Sequence, residues 1–420
     1  MLVPLTALVA AGLAAGLPGH SNPRPSFQAP NTVVIPGERL LAAKQSLQSP
    51  HSPLHGALGH LTAQADSWLG QGPWTVTSKT SAPPNGTVHD YASQAPYWWP
   101  NPDTADGCPY IQKDGVRNPD VDKYQDRIAV GKMFNSSYVL ALAWYYTGRD
   151  EYALHAADIL NTWFLDPDTG MNPNLDHAQI IPCANDGRSI GIIDFSQEYT
   201  NVLDAAAILA SGGPRGASAP GWTPARNAAF RAWNARFLDW LANSPFGVQE
   251  AAAANNHGTF ANMQIAALAL FTGDTRLAAR YAALGTQFID SQVAPDGSLP
   301  QEIARTRSFH YSNFDLGALL RWALVAQKVG VDLFGHVGPE GQTLLQAARF
   351  VIPAAVGGQG AWDFPELEFT QYAATDNVRA AAAAGLQEAR AVLGELAAPP
   401  GGDIFDLRPA PQQLDSIVTL

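Results

Sequence analysis

The residue types best suited to moving a proton stand in two short segments, and the first contains Asn255, Asn256 and His257, followed by Gly and Thr. It comes after a run of alanines at 251–254 and directly before a predicted helix. An imidazole exchanges protons near neutral pH, and an amide side chain can hydrogen-bond a carboxylate. Because Asn is also a preferred N-cap residue, capping of the helix explains the same segment without any chemistry.

The second segment runs from 302 to 311, just before a helix predicted to start near Ser312. Its charged and proton-carrying residues are Glu302, Arg305, Arg307, His310 and Tyr311. A solvated charged turn is the alternative interpretation of so short a stretch. The flanking residues Ile303, Phe309 and Phe314 are apolar, however, and they indicate a segment that runs inside the wall of a cleft.

A third group of polar side chains lies in a loop-like stretch between 171 and 194. Asn174, Gln179 and Arg188 suit sugar hydroxyls and a carboxylate, although turn chemistry explains the Asn, Pro and Gly residues there equally well. Trp98 and Trp99 could stack on sugar rings or anchor a loop. These five residues are candidates for substrate binding, together with Asn255, Glu302, Arg307 and His310.

A β-elimination on a uronic acid would use all of these groups at once. The proton next to the sugar carboxylate is weakly acidic, because that carboxylate is already negative. A catalyst must neutralise the carboxylate, place a base at the proton and supply an acid to the 4-linked oxygen that leaves. The sequence offers a candidate for each role, and it therefore predicts an enzyme, a polysaccharide lyase.

Other chemistries have weaker support in the sequence. The pair His51 and His55 encloses Pro53 and lacks the Glu of a zinc-protease helix, so we expect no metal site. Gly-Arg-Ser-Ile-Gly at 187–191 matches the nucleophile motif of serine hydrolases, but no predicted strand precedes it. The sequence has no glycine-rich phosphate loop, and we expect no cofactor.

Helices are the elements that must position these residues. Apolar residues recur at helical spacing in two pieces between 35 and 74, broken near Pro53. From Thr75 to Asp126 no periodicity is sustained, which predicts a long functional loop, and no series of strands is predicted anywhere. The remaining predicted helices are 128–147, 150–164, 196–211, 222–243, 258–272, 274–291, 312–330, 340–351 and 375–396.

An internal repeat indicates how these helices pack. Ala-Leu-Ala at 141–143 with Thr-Gly at 147–148 recurs as Ala-Leu-Ala at 267–269 with Thr-Gly at 272–273. Each copy places a glycine turn between two alanine-rich helices, and such pairs must stack on neighbours to bury their apolar faces. Closing the stack gives an all-α (α/α) toroid, an incomplete barrel of antiparallel helix pairs with long irregular loops lining a cleft. An open solenoid is the alternative.

Composition favours one large domain and argues against nucleic acid and a membrane as partners. The chain has 420 residues, of which 46% are hydrophobic and 15% charged, and we expect a single domain over 21–420. The net charge of −12 and the lack of a Lys/Arg-rich run argue against nucleic acid. The apolar stretches are too short for a membrane span. We expect a monomer whose partner is an anionic polysaccharide.

Two features favour export of the protein. Residues 1–20 resemble a signal peptide, although no Lys or Arg precedes the apolar stretch and a buried N-terminal helix is the alternative. The two cysteines, Cys108 and Cys183, form one disulfide in an oxidising compartment or remain two free thiols. We therefore expect a secreted, extracellular protein.

Taken in order, the motifs resemble those of the alginate lyase superfamily, whose members are (α/α)-toroid polysaccharide lyases. The resemblance covers about 91–353 and is carried by Tyr97-Trp98-Trp99-Pro100, Met171-Asn172-Pro173-Asn174-Leu175, Gly187-Arg188, Gly191-Ile192-Ile193-Asp194, Asn255-Asn256-His257-Gly258-Thr259 and the segment Glu302 to Tyr311. It implies that Asn256 and His257 neutralise the uronate carboxylate or supply the base. It also implies that Arg305 assists and that Tyr311 protonates the leaving oxygen.

The substrate and the base stay open at this point. Phe260 stands where mannuronate-specific members often have Trp or Tyr, so polyglucuronate competes with alginate as the 1,4-linked polymer. Arg307 competes with Arg305 as the carboxylate-binding arginine. A glycoside hydrolase on the same toroid, with Asp194 and Glu302 as its carboxylate pair, is an alternative function. An inactive carbohydrate-binding protein is another.

Overall fold

The computed structural model describes residues 27–184 and 191–412, so the predicted signal peptide at 1–20 and the candidate Arg188 lie outside the described residues. Among the helices described, none combines the length and the apolar character that a membrane span requires. The helices are α1 (Gly37–Ser46), α2 (His55–Trp68), α3 (Gln125–Thr147), α4 (Asp150–Phe164), α5 (Ile193–Ser196), α6 (Tyr199–Ser211), α7 (Pro224–Asn243), α8 (Pro245–Ala251), α9 (Asn256–Thr272), α10 (Thr275–Gln292), α11 (Pro300–Ile303), α12 (Ser308–Gln327), α13 (Leu344–Gly357), α14 (Thr375–Ala383) and α15 (Gln387–Ala391).

The two helices that carry the candidate catalytic residues begin earlier than the periodicity predicts. α9 starts at Asn256 and α12 starts at Ser308, so His257 and Tyr311 lie in first helical turns and not in the preceding loops. Polar residues that bind across the fold hid these starts, because they interrupt the apolar pattern without ending the helix. The prediction that both residues are carried by loops was therefore wrong.

The repeated glycine turns join packed helix pairs, as the internal repeat predicts. α3 packs against α4, and α9 packs against α10. Gly148 ends α3 with φ 73°, and Gly273 ends α9 with φ 97°. Glycine adopts this left-handed conformation without the steric cost that a side chain brings, so the chain can reverse at once into the next helix.

The helices form two concentric layers. α3, α6, α9 and α12 pack on one another in that order and are buried around most of their circumference. α10 buries a single stripe, which includes Ala278, Ala282, Gly285 and Ile289 at the spacing of an amphipathic helix. An inner layer of helices buried on most sides, covered by an outer layer of helices buried on one side, is the predicted (α/α) toroid, and the all-α fold class is confirmed.

The long loop between α2 and α3 contains short strands that the sequence did not predict. β1 (Ala92–Gln94) pairs in parallel with β4 (His177–Ile180). β2 (Trp98–Trp99) pairs antiparallel with β3 (Ile111–Gln112), forming what we call the β2–β3 hairpin, residues 98–112. Strands of two to four residues are too short to show an alternating pattern in the sequence.

A disulfide ties the β2–β3 hairpin to the end of β4. Cys108 and Cys183 are bonded, with their Cα atoms 5.8 Å apart, and this settles the choice between a disulfide and free thiols. The bond closes a loop of 75 residues. It therefore restricts a large part of the unfolded chain.

Replacing both cysteines by serine is expected to lower the free energy of unfolding by roughly 2 to 4 kcal/mol, because the unfolded chain regains the freedom that the bond removes. Urea unfolding of the wild type and of the Cys108→Ser, Cys183→Ser double variant measures the difference. Reduced wild-type protein serves as the control and should match the variant. Equal unfolding midpoints for the oxidised wild type and the variant would contradict this expectation.

Candidate active site

His257 lies in the first turn of α9, where a buried carboxylate holds one side of its ring. Nδ1 of His257 is 3.0 Å from Oε1 of Glu250, whose side chain is 1% exposed. Glu250 also accepts the backbone N–H groups of Ile192 and Ile193, at 2.7 and 2.8 Å. A carboxylate at Nδ1 places a ring hydrogen there, so Nε2 is the nitrogen left to exchange a proton with a substrate.

The two asparagines before His257 do different things. Oδ1 of Asn255 accepts the backbone N–H of His257 at 3.2 Å, so the capping interpretation holds for Asn255. Asn256 is buried, and its Nδ2 donates to both carboxyl oxygens of Glu302, at 3.0 and 2.9 Å. Its backbone N–H donates to the same carboxyl group at 2.8 Å. Burial raises the pKa of Glu302, against the lowering effect of these hydrogen bonds and of the charge on Arg305.

Arg305 is held by an aspartate that follows β3. Nε of Arg305 lies 3.0 and 3.1 Å from the two carboxyl oxygens of Asp114, and Nη2 donates to the same group. Burial alone would lower the pKa of Arg305, but the neighbouring Asp114, Tyr311 and Glu302 raise it above its ordinary value. Burial alone would raise the pKa of Asp114, but hydrogen bonds from Arg305 and Thr306 hold it below its ordinary value. Both groups therefore stay charged at neutral pH.

Tyr311 lies in the first turn of α12 between a cation and a second phenol. The guanidinium carbon of Arg305 is 3.8 Å from the centre of the Tyr311 ring. The hydroxyl of Tyr311 hydrogen-bonds the hydroxyl of Tyr97, from the loop before β2. Glu366 accepts the backbone N–H groups of Phe309 and His310, at 2.7 and 3.1 Å, which fixes the start of the helix. Tyr311 is 5% exposed, and these contacts hold it in the first turn of the helix.

The first turns of α9 and α12 lie side by side. Phe260 and Phe314 each follow the candidate catalytic residue of their helix by three positions, and their ring centres are 4.5 Å apart. Glu302, from α11, interacts with Asn256, His257 and Arg305. The structure therefore brings the two polar segments of the sequence to the same end of two neighbouring inner helices.

Three candidates for substrate binding are engaged with carboxylates of the protein. Nε2 of Gln179 donates to Asp194 at 2.9 Å. Nδ2 of Asn174 is 3.4 Å from Oδ1 of Asp90. Arg307 forms an ion pair with Glu368 at 3.5 Å, which leaves Arg305 as the arginine beside Tyr311.

The aromatic candidates for sugar binding also contact other residues of the protein. Trp98 and Trp99 are half-buried strand residues of the β2–β3 hairpin, and Nε1 of Trp99 donates to the carbonyl of Val116 at 2.9 Å. The ring of His310 stacks on Phe314, with centres 5.8 Å apart. Loop anchoring accounts for the contact of Trp99, and packing within α12 accounts for that of His310. Binding of sugar by these two residues and by Trp98 stays a prediction.

The carboxylates of the hydrolase alternative serve buried donors of the protein. Asp194 accepts the hydroxyls of Tyr91 and Ser93, at 3.0 and 2.5 Å, and lies 3.7 Å from Arg127. Glu302 is occupied by Asn256 in the same way. Both carboxylates therefore orient parts of the protein, and this arrangement gives the hydrolase alternative no support.

Sequence reasoning missed three residues that hold the candidate catalytic groups: Glu250, Asp114 and Tyr97. Glu250 is seven residues before His257, and a lone acidic residue at the end of a short helix gave no signal. Asp114 is 191 residues from Arg305, and Tyr97 is 214 residues from Tyr311. Tyr97 stands directly before Trp98 and Trp99, and that aromatic run indicates sugar stacking or loop anchoring but no partner for the Tyr97 hydroxyl.

Comparison with known proteins gives a consistent result. A family profile described as "Alginate lyase" matches residues 75–362. The crystal structure of an alginate lyase from Bacteroides ovatus is similar, with 32% sequence identity and a TM-score of 0.83 over 90% of this chain and 98% of that chain. No curated protein sequence matches the chain.

A more distant likeness concerns the fold alone. A histidine-to-alanine variant of alginate lyase A1-III, complexed with a tetrasaccharide, has 15% identity and a TM-score of 0.51. The match covers 84% of this chain and 94% of that chain. Alginate lyase A1-III comes from Sphingomonas species A1.

Proposed function

Because this chain belongs to the alginate lyase family and is a polysaccharide lyase, we propose that it cleaves alginate, a 1,4-linked uronate polymer, by β-elimination at the site formed by α9 and α12. The observation that carries the proposal is the position of Tyr311. Its hydroxyl lies at the start of an inner helix, with the Arg305 guanidinium against its ring. A cation in that position stabilises negative charge that develops on the phenol oxygen.

The proposed reaction removes the proton from the carbon that bears the sugar carboxylate. The electron pair of that carbon–hydrogen bond forms a double bond to the neighbouring carbon, and the bond from that carbon to the 4-linked oxygen breaks. Tyr311 gives the leaving oxygen its proton. The products are a free hydroxyl end and an unsaturated uronate end, so no water is consumed.

Neutralisation of the sugar carboxylate makes the proton acidic enough to leave. Nε and Nη2 of Arg305 face Asp114, and we assign Nη1 to the substrate carboxylate. Nε2 of His257 is a second donor when the ring is protonated. Nδ2 of Asn256 lies within hydrogen-bond distance of both carboxyl oxygens of Glu302, which one of its two hydrogens can serve. We assign the other hydrogen to the substrate carboxylate.

The base depends on the stereochemistry of the sugar. Where the proton and the leaving oxygen lie on the same face, Tyr311 serves as base and then as acid. Where they lie on opposite faces, His257 removes the proton through Nε2, since Nδ1 is occupied by Glu250. Alginate contains residues of both kinds, and the site contains a base for each.

Ultraviolet absorbance tests this proposal, because elimination creates a conjugated double bond and hydrolysis does not. The purified protein should be incubated separately with polymannuronate, polyguluronate, polyglucuronate and hyaluronan. We expect rising absorbance with at least one alginate block. If the absorbance rises with polyglucuronate alone, then polyglucuronate and not alginate is the substrate. Sugar release without absorbance would contradict elimination altogether.

Glu250→Gln is expected to lower kcat by on the order of 10²-fold with little change in KM, because glutamine cannot accept the two backbone N–H groups and His257 together. His257 then loses its fixed ring orientation. The measurement is steady-state kinetics on the best polymer, beside Glu340→Gln as the matched control at an exposed site. An unchanged kcat in Glu250→Gln would remove Glu250 as the residue that orients His257.

A further inference from the structure

Asp315 on α12, one helical turn after Tyr311, is a buried carboxyl group that the proposed mechanism does not use. It is 1% exposed, and neither of its carboxyl oxygens accepts a hydrogen bond from the described part of the chain. The charged group that acts on it is Glu302 on α11, and the neutral Thr259 on α9 also interacts with it. A buried carboxylate without a donor and beside a second carboxylate is strongly disfavoured.

The direction of each hydrogen bond near Asp315 follows from the neutral groups. Nε2 of Gln292 faces the carbonyl oxygen of Asn255 at 3.3 Å, so Oε1 of Gln292 must face Thr259. The hydroxyl of Thr259 therefore donates to Gln292, at 2.9 Å. Thr259 also interacts with Asp315. Because a hydroxyl has one hydrogen, which Thr259 already gives to Gln292, it can offer Asp315 only a lone pair. A hydrogen bond between Thr259 and Asp315 thus requires the hydrogen to be on Asp315.

We propose that Asp315 is a positioning residue that acts as a neutral carboxylic acid and donates its hydrogen to Thr259. The resulting chain runs from Asp315 through Thr259 and Gln292 to the backbone of Asn255. It joins the helix that carries Tyr311 to the segment that carries His257. The catalytic consequence rests on the proposed function, whereas the protonation state of Asp315 does not.

A neutral Asp315 also protects the orientation of Asn256. Burial and the nearby Glu302 raise the pKa of Asp315 well above its ordinary value. Glu302 then remains the carboxylate that can hold a negative charge in this pocket and accept the three hydrogen bonds from Asn256. Ionisation of both groups would place two negative charges in the same buried region.

The dependence of stability on pH tests the protonation state without any substrate. An acid whose pKa is raised by folding contributes stability fully below its unfolded pKa, about 4, and loses it as the pH rises through the folded pKa. Asp315→Asn keeps a hydrogen donor and cannot ionise. The Tm of the variant minus that of the wild type is therefore expected to grow between about pH 4 and pH 8. A difference that is constant or shrinks over this range overturns the proposal.

Kinetics test the positioning role. Asp315→Leu removes the donor at similar volume, and Thr259→Val removes the acceptor if the leucine variant does not fold. We expect either change to lower kcat about 10- to 100-fold with KM changed less than about threefold, as for other residues that orient catalytic groups. Asp315→Asn should retain most of the wild-type kcat. Equal loss in the asparagine and leucine variants, or a wild-type kcat in both leucine and valine variants, overturns the positioning role.

Should the wild type lack lyase activity, the proposed function fails while the Tm measurement still decides the protonation state of Asp315.

Discussion

Tyr311→Phe is expected to lower kcat by about 10³-fold, equivalent to about 4 kcal/mol in the barrier, because the leaving oxygen loses its proton donor. The change removes one oxygen atom. The phenyl ring keeps its place against the Arg305 guanidinium and against Phe314, 6.3 Å away between ring centres. The folded structure should therefore survive, and the initial rate of ultraviolet absorbance measures the loss.

Tyr372→Phe provides a matched control for this experiment. Tyr372 lies in the 3-10 turn Gln371–Ala374, which packs on α12, α13 and α14, and no contact of its hydroxyl with the candidate catalytic residues is found among the described residues. The control variant should keep the wild-type rate. If Tyr311→Phe retained a rate within about threefold of the wild type, Tyr311 would not be the proton donor.

His257→Ala is expected to have the second largest effect, and its size should depend on the polymer. On a polymer whose proton and leaving oxygen lie on opposite faces, the variant loses the base, and kcat should fall by about 10²-fold to 10⁴-fold. On a polymer with both on the same face, Tyr311 can remove the proton. The variant then loses only a donor to the carboxylate, and a smaller decrease is expected. Steady-state rates on polyguluronate and polymannuronate measure the two cases.

The matched control is His51→Ala, at an exposed position in the connection between α1 and α2. It should leave both rates unchanged. In His257→Ala the buried carboxylate of Glu250 loses one of its three hydrogen-bond donors and keeps two backbone N–H groups, which can lower stability. The Tm of each variant must therefore be measured alongside the rates. Equal and small effects of His257→Ala on both polymers would show that His257 is neither base nor carboxylate donor.

The sequence predicted the helical frame well because the apolar period is strong in the inner helices. The paired turns at Gly148 and Gly273 were readable from a repeat, and the toroid followed from the need to bury helix pairs. The predicted helix at 375–396 is in fact α14 and α15, separated at Gly385, whose φ is 111°. Alanine-rich sequence continued the helical pattern across that break.

The candidate site was predictable only in part. His257 and Tyr311 stand in segments of unusual composition, which made them candidates, and the resemblance to a known family implied their roles. Their partners were not predictable, because a contact such as that of Asp114 with Arg305 joins positions 191 residues apart, and it depends on how a two-residue hairpin strand is placed. Asp315 gave no signal, since one acidic residue in an apolar helix has no partner visible in the sequence.

Mass spectrometry of the products tests the central claim most directly. The purified wild-type protein should digest the polymer that it degrades fastest, and the oligosaccharides should be weighed without derivatisation. Elimination predicts that every new non-reducing end is lighter by one water molecule than a saturated end, and that Tyr311→Phe forms almost none of these products. Oligosaccharides with only saturated ends would contradict the account.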